Sequence, residues 1–405
     1  MWSISLRRSS CGGSGPGGVW RLAGVAVLAA LLGAGCATVP DNGQLFREQL
    51  VGLPPHDGWL IPRVRDVEKG RERDGAAALE VMFHFWGIRM PRGHVKPLLL
   101  EQGAELGTIQ EQMIHFADHQ GLWSFASFGS MAELEARVSG NQPVVVILQE
   151  GSAAAFDRRY AVVVGFNRVT MEVVCHEGAG HPGVYSYAQF NRMWRPLRNW
   201  MLVICPPETA EWELSYLELA SQARFYERRN RRHLALSRFH DALEREPKNL
   251  DLLLATGTAH RNLGQHREAE RLYRDAVALN NMHARACNNL AYHLASHGGN
   301  LEEAEALARR AVMLEPSNPA ILDTLGLVLW KLGDYDKAAE ALERARVRSR
   351  NLSDASVTKI MLRLARVYVD AESIHLAVQV LDDLKRRVPG VSIPPDLAVY
   401  LVTRE

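Results

Sequence analysis

Hydrophobic positions change their spacing along this chain, and each change marks a different kind of segment. From Leu22 to Leu32 they run together, with Arg7, Arg8 and Arg21 before them and Gly33-Ala34-Gly35-Cys36 after. Between about His56 and Pro206 they recur first at helical spacing, over Gly75 to Trp86, Thr108 to His119 and Met131 to Val138. Short β-branched runs follow at Val144-Val145-Val146-Ile147, Val162-Val163-Val164 and Val173-Val174, the pattern of strands buried in a sheet. Helices first and strands later predict an α+β domain over 56–206. Beyond Pro206-Pro207-Glu208-Thr209 the β-branched runs cease. Ala, Leu, Glu and Arg then dominate, and the chain reads as helix nearly to its end.

The helical part repeats. Ala223, Tyr226, Ala235, Phe239, Ala242 and Pro247 align with Gly257, His260, Ala269, Tyr273, Ala276 and Asn281, a period of about 34 residues. A third copy carries Ala291, Ala304, Ala308, Ala311 and Pro316 and is one residue longer around His297-Gly298-Gly299. A fourth carries Leu322, Leu325, Gly326, Gly333, Ala338, Leu342 and Ala345. A fifth carries Ala365, Tyr368, Ala377, Leu381, Leu384 and Pro389. Small residues let two antiparallel helices approach, larger ones fill the gap to the next unit, and glycines such as Gly264 and Gly333 close the intervening turn. The pattern resembles the tetratricopeptide (TPR) repeat, which implies an all-α solenoid of about five units over 215–391, after a linker at 207–214 and before a tail at 392–405. In such solenoids the concave groove is lined by first-helix residues that the core leaves free. Here that implies Arg261, Asn288, Asn289, Tyr292, Trp330 and Lys331, flanked by Arg224, Thr258, Asp323, Arg363 and Arg366. Side-chain amides suit the backbone of an extended peptide, with Tyr292 or Trp330 as anchor.

Within 56–206, Asp74-Gly75-Ala76-Ala77-Ala78-Leu79, Gly107-Thr108, Gly121-Leu122, Pro143-Val144-Val145-Val146, Tyr160-Ala161-Val162-Val163-Val164-Gly165-Phe166, and Phe190 with Trp194 form a series. The series resembles the papain-like cysteine peptidases that process bacteriocin leaders. In that family a cysteine opens the first helix, a histidine heads the valine strand and an aspartate-proline orients it. Here Asp74 stands at the cysteine position, Arg159 at the histidine, and His176-Glu177-Gly178 replaces the aspartate-proline, while the oxyanion glutamine falls near Glu68 or Lys69. A carboxylate at a helix start is stabilised by the helix dipole but is a poor acyl nucleophile. The expectation is therefore a pseudoenzyme, with Asp74 capping its helix and pairing with Arg159.

The N-terminus resembles a bacterial lipoprotein signal over 1–35, with Cys36 as the lipidated residue and 36–55 as lipidated N-terminus and linker. The apolar run is shorter than the roughly 20 residues needed to cross a bilayer, so cleavage is expected. Ala37 after the cysteine implies, in that family, the outer membrane facing the periplasm. Of the other cysteines, Cys11 lies in the signal and Cys287 on a repeat helix. Cys175 and Cys205 each end a predicted strand and stand as single thiols unless those strands are neighbours.

A net charge of +1, from 47 Lys+Arg against 46 Asp+Glu, gives no whole-chain field for nucleic acid. His115 and His119, with Asp118 nearby, lie one turn apart on an outward face. Cys175, His176 and His181 cluster without a base and an orienting group. No metal and no cofactor is expected. The sequence thus predicts a membrane-anchored, protein-binding adaptor or scaffold for envelope assembly or secretion. The alternative is a peptidase-like hydrolase acting through a non-standard nucleophile such as Cys175 or Asp74 with water.

Overall fold

A computed structural model describes residues 42–62, 64, 75–90, 95, 109–150, 157–177, 182–210 and 212–402. Cys36, Asp74, the Gly107-Thr108 pair, Glu68, Lys69 and His181 lie outside the described residues. The first part runs α1 (Asn42–Gln49), β1 (Gly58–Leu60), α2 (Gly75–Phe85), α3 (Ile109–His119), β2 (Trp123–Phe128), α4 (Met131–Ser139), β3 (Val144–Glu150), β4 (Asp157–Asn167), β5 (Glu172–His176), β6 (Gly183–Ser186), α5 (Tyr187–Trp194) and β7 (Trp200–Cys205). Its strands form one antiparallel sheet in the order β2-β7-β3-β4-β5-β6, and β1 adds to the far end of β4.

The three valine runs become the centre of this sheet. Val144, Val145, Val146, Val162, Val173 and Val174 are fully buried, and each such side chain contributes about 1.5–3 kcal/mol by leaving water. Helices α2 and α4 pack on β4, and α5 packs on β3. Helices α4 and α5 each open with a capping box, Ser130 with Glu133 and Ser186 with Gln189. Gly165 is required by the approach of β1. A Cβ there would sit 2.8 Å from Leu60 Cδ1 and 3.0 Å from the Trp59 carbonyl oxygen, so any side chain would push β1 off the sheet.

The second part is five antiparallel helix pairs: α6 (Tyr216–Arg228) with α7 (Arg232–Arg245), α8 (Leu250–Asn262) with α9 (His266–Leu279), α10 (Ala284–His297) with α11 (Leu301–Leu314), α12 (Pro319–Lys331) with α13 (Tyr335–Arg348), and α14 (Asp354–Asp370) with α15 (Ile374–Arg387). Gly257 and Gly326 stand where the helices of a pair touch. A Cβ at Gly326 would lie 2.5 Å from Leu342 Cγ, and one at Gly257 would lie 2.8 Å from the Tyr273 ring. The extra residue of the third copy lengthens α10 to 14 residues against 13 in α8 and α12. Part of the expected tail is ordered as well: Leu397, in α16 (Pro395–Val402), is buried against the last pair.

Of the stretch 207–214, read from the sequence as a linker, residues 207–210 and 212–214 are described and pack between the two parts. Pro207 and Leu214 are buried. The Trp212 ring stacks on Trp123 at 6.3 Å and lies 4.9 Å beneath the Arg137 guanidinium. Trp123, Val203 and Cys205 of the sheet share one apolar cluster with Leu219, Ala220, Phe225 and Tyr226 of α6. Trp123 Nε1 donates to Ser221 Oγ at 3.1 Å, and Arg137 pairs with Glu218 at 2.9 Å with both side chains buried. The first unit of a solenoid has no preceding unit to cover its outer face. Here the edge of the sheet at β2 and β7 supplies that cover.

Candidate functional site

Two regions answer to the sites the sequence singled out. The first lies where β4 and β5 meet the end of β6. Arg159, placed by the register opposite Leu148 of β3, is 2 % exposed. Its guanidinium hydrogen-bonds the Glu150 carboxylate and lies 3.3 Å from Glu177. Tyr185 closes the network, its hydroxyl donating to Glu177 Oε1 at 2.6 Å with its ring 5.9 Å beneath the guanidinium. Burial works against the arginine's charge, but the bond to Glu150 and the negative field of Glu177 outweigh it and raise its pKa. Burial first, and then the bond to Glu177, push the Tyr185 hydroxyl up. Arg159 and Glu177, two of the three positions that the sequence compares with a peptidase's catalytic residues, thus meet in an ion pair. The expected partner Asp74 falls outside the described residues, and the carboxylates on Arg159 are Glu150 and Glu177. A cavity of about 350 Å³ lined by Gln149, Glu150, Tyr185, Gln189, Arg192, Met193 and Pro196 opens beside this network.

Cys175 is fully buried on β5, and burial followed by the charge on Glu177 holds its thiol well above the ordinary value. A thiol so placed carries little thiolate at neutral pH. Cys175 and Cys205 are free thiols. Strands β3 and β4 stand between β5 and β7 in the sheet, so the two strand ends are not neighbours. Cys287 is also a buried free thiol on α10. His115 is half-buried beside His119, with ring centres 4.4 Å apart. Asp118 is held by Arg228 and Arg229 of the first repeat.

The second region is the face formed by the first helices of successive pairs. Tyr292 of α10 lies between two cations, Arg261 of α8 at 5.5 Å and Lys359 of α14 at 4.6 Å from its ring centre. Asp323 of α12 is bound by Arg363 and lies 3.4 Å from Lys359. Farther along, Trp330 is half-buried, donates from Nε1 to Asp370 at 2.7 Å and carries Lys331 5.2 Å from its ring. Asn288 donates to Asn289 at 3.4 Å, and its own Oδ1 is buried without a hydrogen-bond partner. The expected residues Arg261, Asn288, Asn289, Tyr292, Trp330 and Lys331 therefore fall on consecutive first helices, and Arg261 meets Tyr292 directly.

Two flanking residues are held by other contacts. Thr258 bonds the Leu254 carbonyl at 2.8 Å and faces the Tyr273 hydroxyl at 3.1 Å. Arg366 is tied to Asp396 of α16 at 3.1 Å. Arg224 sits exposed on α6. Lys359 was not singled out by the sequence. Its position four residues before Arg363, on the same helix, was the available signal.

Residues 254–319 and 324–392 match the family model described as tetratricopeptide repeat. The C-terminal region of this chain carries such repeats. No curated protein matches the chain significantly. Among solved structures, the type IV pilus biogenesis factor PilW is 20 % identical, with 47 % of this chain and 87 % of that one covered at a TM-score of 0.42. A thermophilic TPR protein of Thermus thermophilus is 20 % identical over 46 % of this chain and 98 % of its own, at 0.38. YrrB, a TPR protein with an unusual peptide-binding site, is 17 % identical over 47 % and 92 %, at 0.36.

Proposed function

We propose that this protein is a non-catalytic adaptor that holds an extended polypeptide along the concave face of its repeat array, during envelope assembly or secretion. The observation that carries this reading is the line of Arg261, Tyr292, Lys359 and Trp330 across successive first helices, an aromatic and cationic track with amides beside it. Tyrosine, tryptophan and arginine supply most of the binding energy in protein interfaces. The cations flanking Tyr292 favour a segment carrying carboxylates.

In this reading Cys36 is the lipid anchor and the sheet domain is a degenerate papain-like module that caps the array. Among the described residues no helix is long and apolar enough to cross a membrane. The alternative, a hydrolase acting through Cys175, is disfavoured by the burial of that thiol.

Site-specific photo-crosslinking from position 261 in intact cells tests the groove. A polypeptide should be trapped, and Tyr292→Ala combined with Trp330→Ala should remove the crosslink. Trapping that persists in the double variant would count against the groove. A thiol-reactive probe and a peptide-library digest on purified protein test the alternative.

A further inference from the structure

Three histidines outside the groove come together at the joint between the second and third helix pairs. His266 is the first residue of α9, and His293 and His297 lie one turn apart at the end of α10. One potential ligand nitrogen from each ring falls within 4.8 Å of the others. The ring centres of His266 and His297 are 3.9 Å apart, those of His293 and His297 are 4.6 Å apart, and those of His266 and His293 are 5.9 Å apart. The one-residue insertion in the third repeat lies at this end of α10.

Two further observations point to a ligand. His293 is 1 % exposed and its Nδ1 has no hydrogen-bond partner, although buried polar nitrogens are ordinarily paired. His297 Nδ1 lies 3.1 Å from the His293 carbonyl oxygen. With Nδ1–H donating there, the tautomer is set and the lone pair falls on Nε2, as a backbone carbonyl commonly does for metal-binding histidines. The Tyr273 ring, edge-on to His293 at 5.8 Å, walls the inner side.

We propose that His266, His293 and His297 bind a single divalent transition-metal ion of the zinc type, with a fourth position open to solvent. Neutral imidazoles are good ligands for such ions, and three of them with an open site form a recognised zinc arrangement. Nitrogens around a tetrahedral zinc ion stand about 3.3 Å apart, given bonds near 2.0 Å. Atoms within 4.8 Å of one another must therefore close by at most about 1.5 Å. His266 and His297 are exposed, and rotation of their side chains can supply that closure without moving the helices. The ion would clip α9 to α10 beside Tyr292, and so stiffen the joint between two repeats.

Cobalt(II) titration of the chelator-stripped full chain tests the site. One equivalent should give the intense visible absorption of a tetrahedral cobalt complex, and zinc(II) should bleach it. His266→Gln and His297→Gln, both at exposed positions, should each weaken binding by about tenfold or more while the circular dichroism stays that of the parent. His233→Gln should bind like the parent. Absence of a saturable one-equivalent signal would overturn the proposal, as would binding that survives the loss of both His266 and His297.

Discussion

The two parts of this protein handle charge in opposite ways. In the sheet domain and at its seam with the array, Arg159, Glu177, Arg137 and Glu218 are buried and held from several sides, and in their ion pairs only Glu150 reaches solvent. Arg159 meets Glu150 and Glu177, and Arg137 meets Glu218, which also closes the capping box of α6 with Ser215. Along the array most pairs are exposed and local, such as Arg271 with Glu268 and Arg309 with Glu305, or they link neighbouring helices at the surface, as Arg274 does with Glu303, and the pair of Asp323 with Arg363 is a buried exception. The contrast follows from geometry. A sheet packed on both faces has no water left for a polar group at its centre, whereas each helix pair keeps one polar side in solvent. The sheet domain should therefore fail at single residues, and the array, away from Asp323 and Arg363, should tolerate the same kind of loss.

Breaking the buried network should produce the largest effect. Glu177→Ala leaves Arg159 with the exposed Glu150 as its one recorded carboxylate and Tyr185 without its acceptor, and should lower stability by about 3–5 kcal/mol in urea unfolding. A cost below about 1 kcal/mol would mean that the pair is solvated. Next in size is Gly326→Ala, which places a methyl against Leu342 where α12 and α13 touch. Overpacking of this kind costs roughly 1–3 kcal/mol. Hydrogen exchange should show the loss in the fourth pair, with the sheet strands unaffected.

A pH effect sharpens the comparison within the array. Burial first, and then the facing His260 ring, lower the pKa of His240, while Glu244 and Asp241 raise it and Arg271 lowers it further. The rings meet with Nε2 atoms 2.9 Å apart. Because the folded state holds His240 neutral below the usual imidazole range, the unfolded chain binds more protons there. Stability should therefore fall as pH drops through about 6.5. His240→Gln should reduce that slope, to which the buried His293 also contributes, in thermal melts taken between about pH 8 and pH 5, and an unchanged slope would place its origin elsewhere. The smallest effect belongs to a surface pair. Glu303→Ala should cost less than about 1 kcal/mol, and that cost should shrink further in high salt.

Much of the array is legible in residue spacing alone. Its period of about 34 residues sets the helix pairs, and the small residues at Gly257, Ala269, Gly326 and Ala338 mark their contacts. The sheet is legible only in part. Valine runs announce the strands, but a run of three valines says nothing of its neighbours, so β1 on β4 and β7 beside β3 cannot be read. The face of the first helices stands between these cases. The places of six residues on it follow from the repeat, yet Lys359 on Tyr292 does not, because which neighbour reaches a given ring depends on the rotation from one repeat to the next.

Local spacing, helix caps and small-residue positions were decided by the sequence itself, since each depends on residues within about one repeat of one another. The tertiary structure alone decided that Arg159 would meet Glu177, that Pro207, Trp212 and Leu214 would be packed between the two parts, and that His266 would stand beside His293 and His297. Those partners come from separate elements, and their meeting is set by register, by helix crossing and by the apolar surface each element must cover, none of which is written in the residues taken one segment at a time.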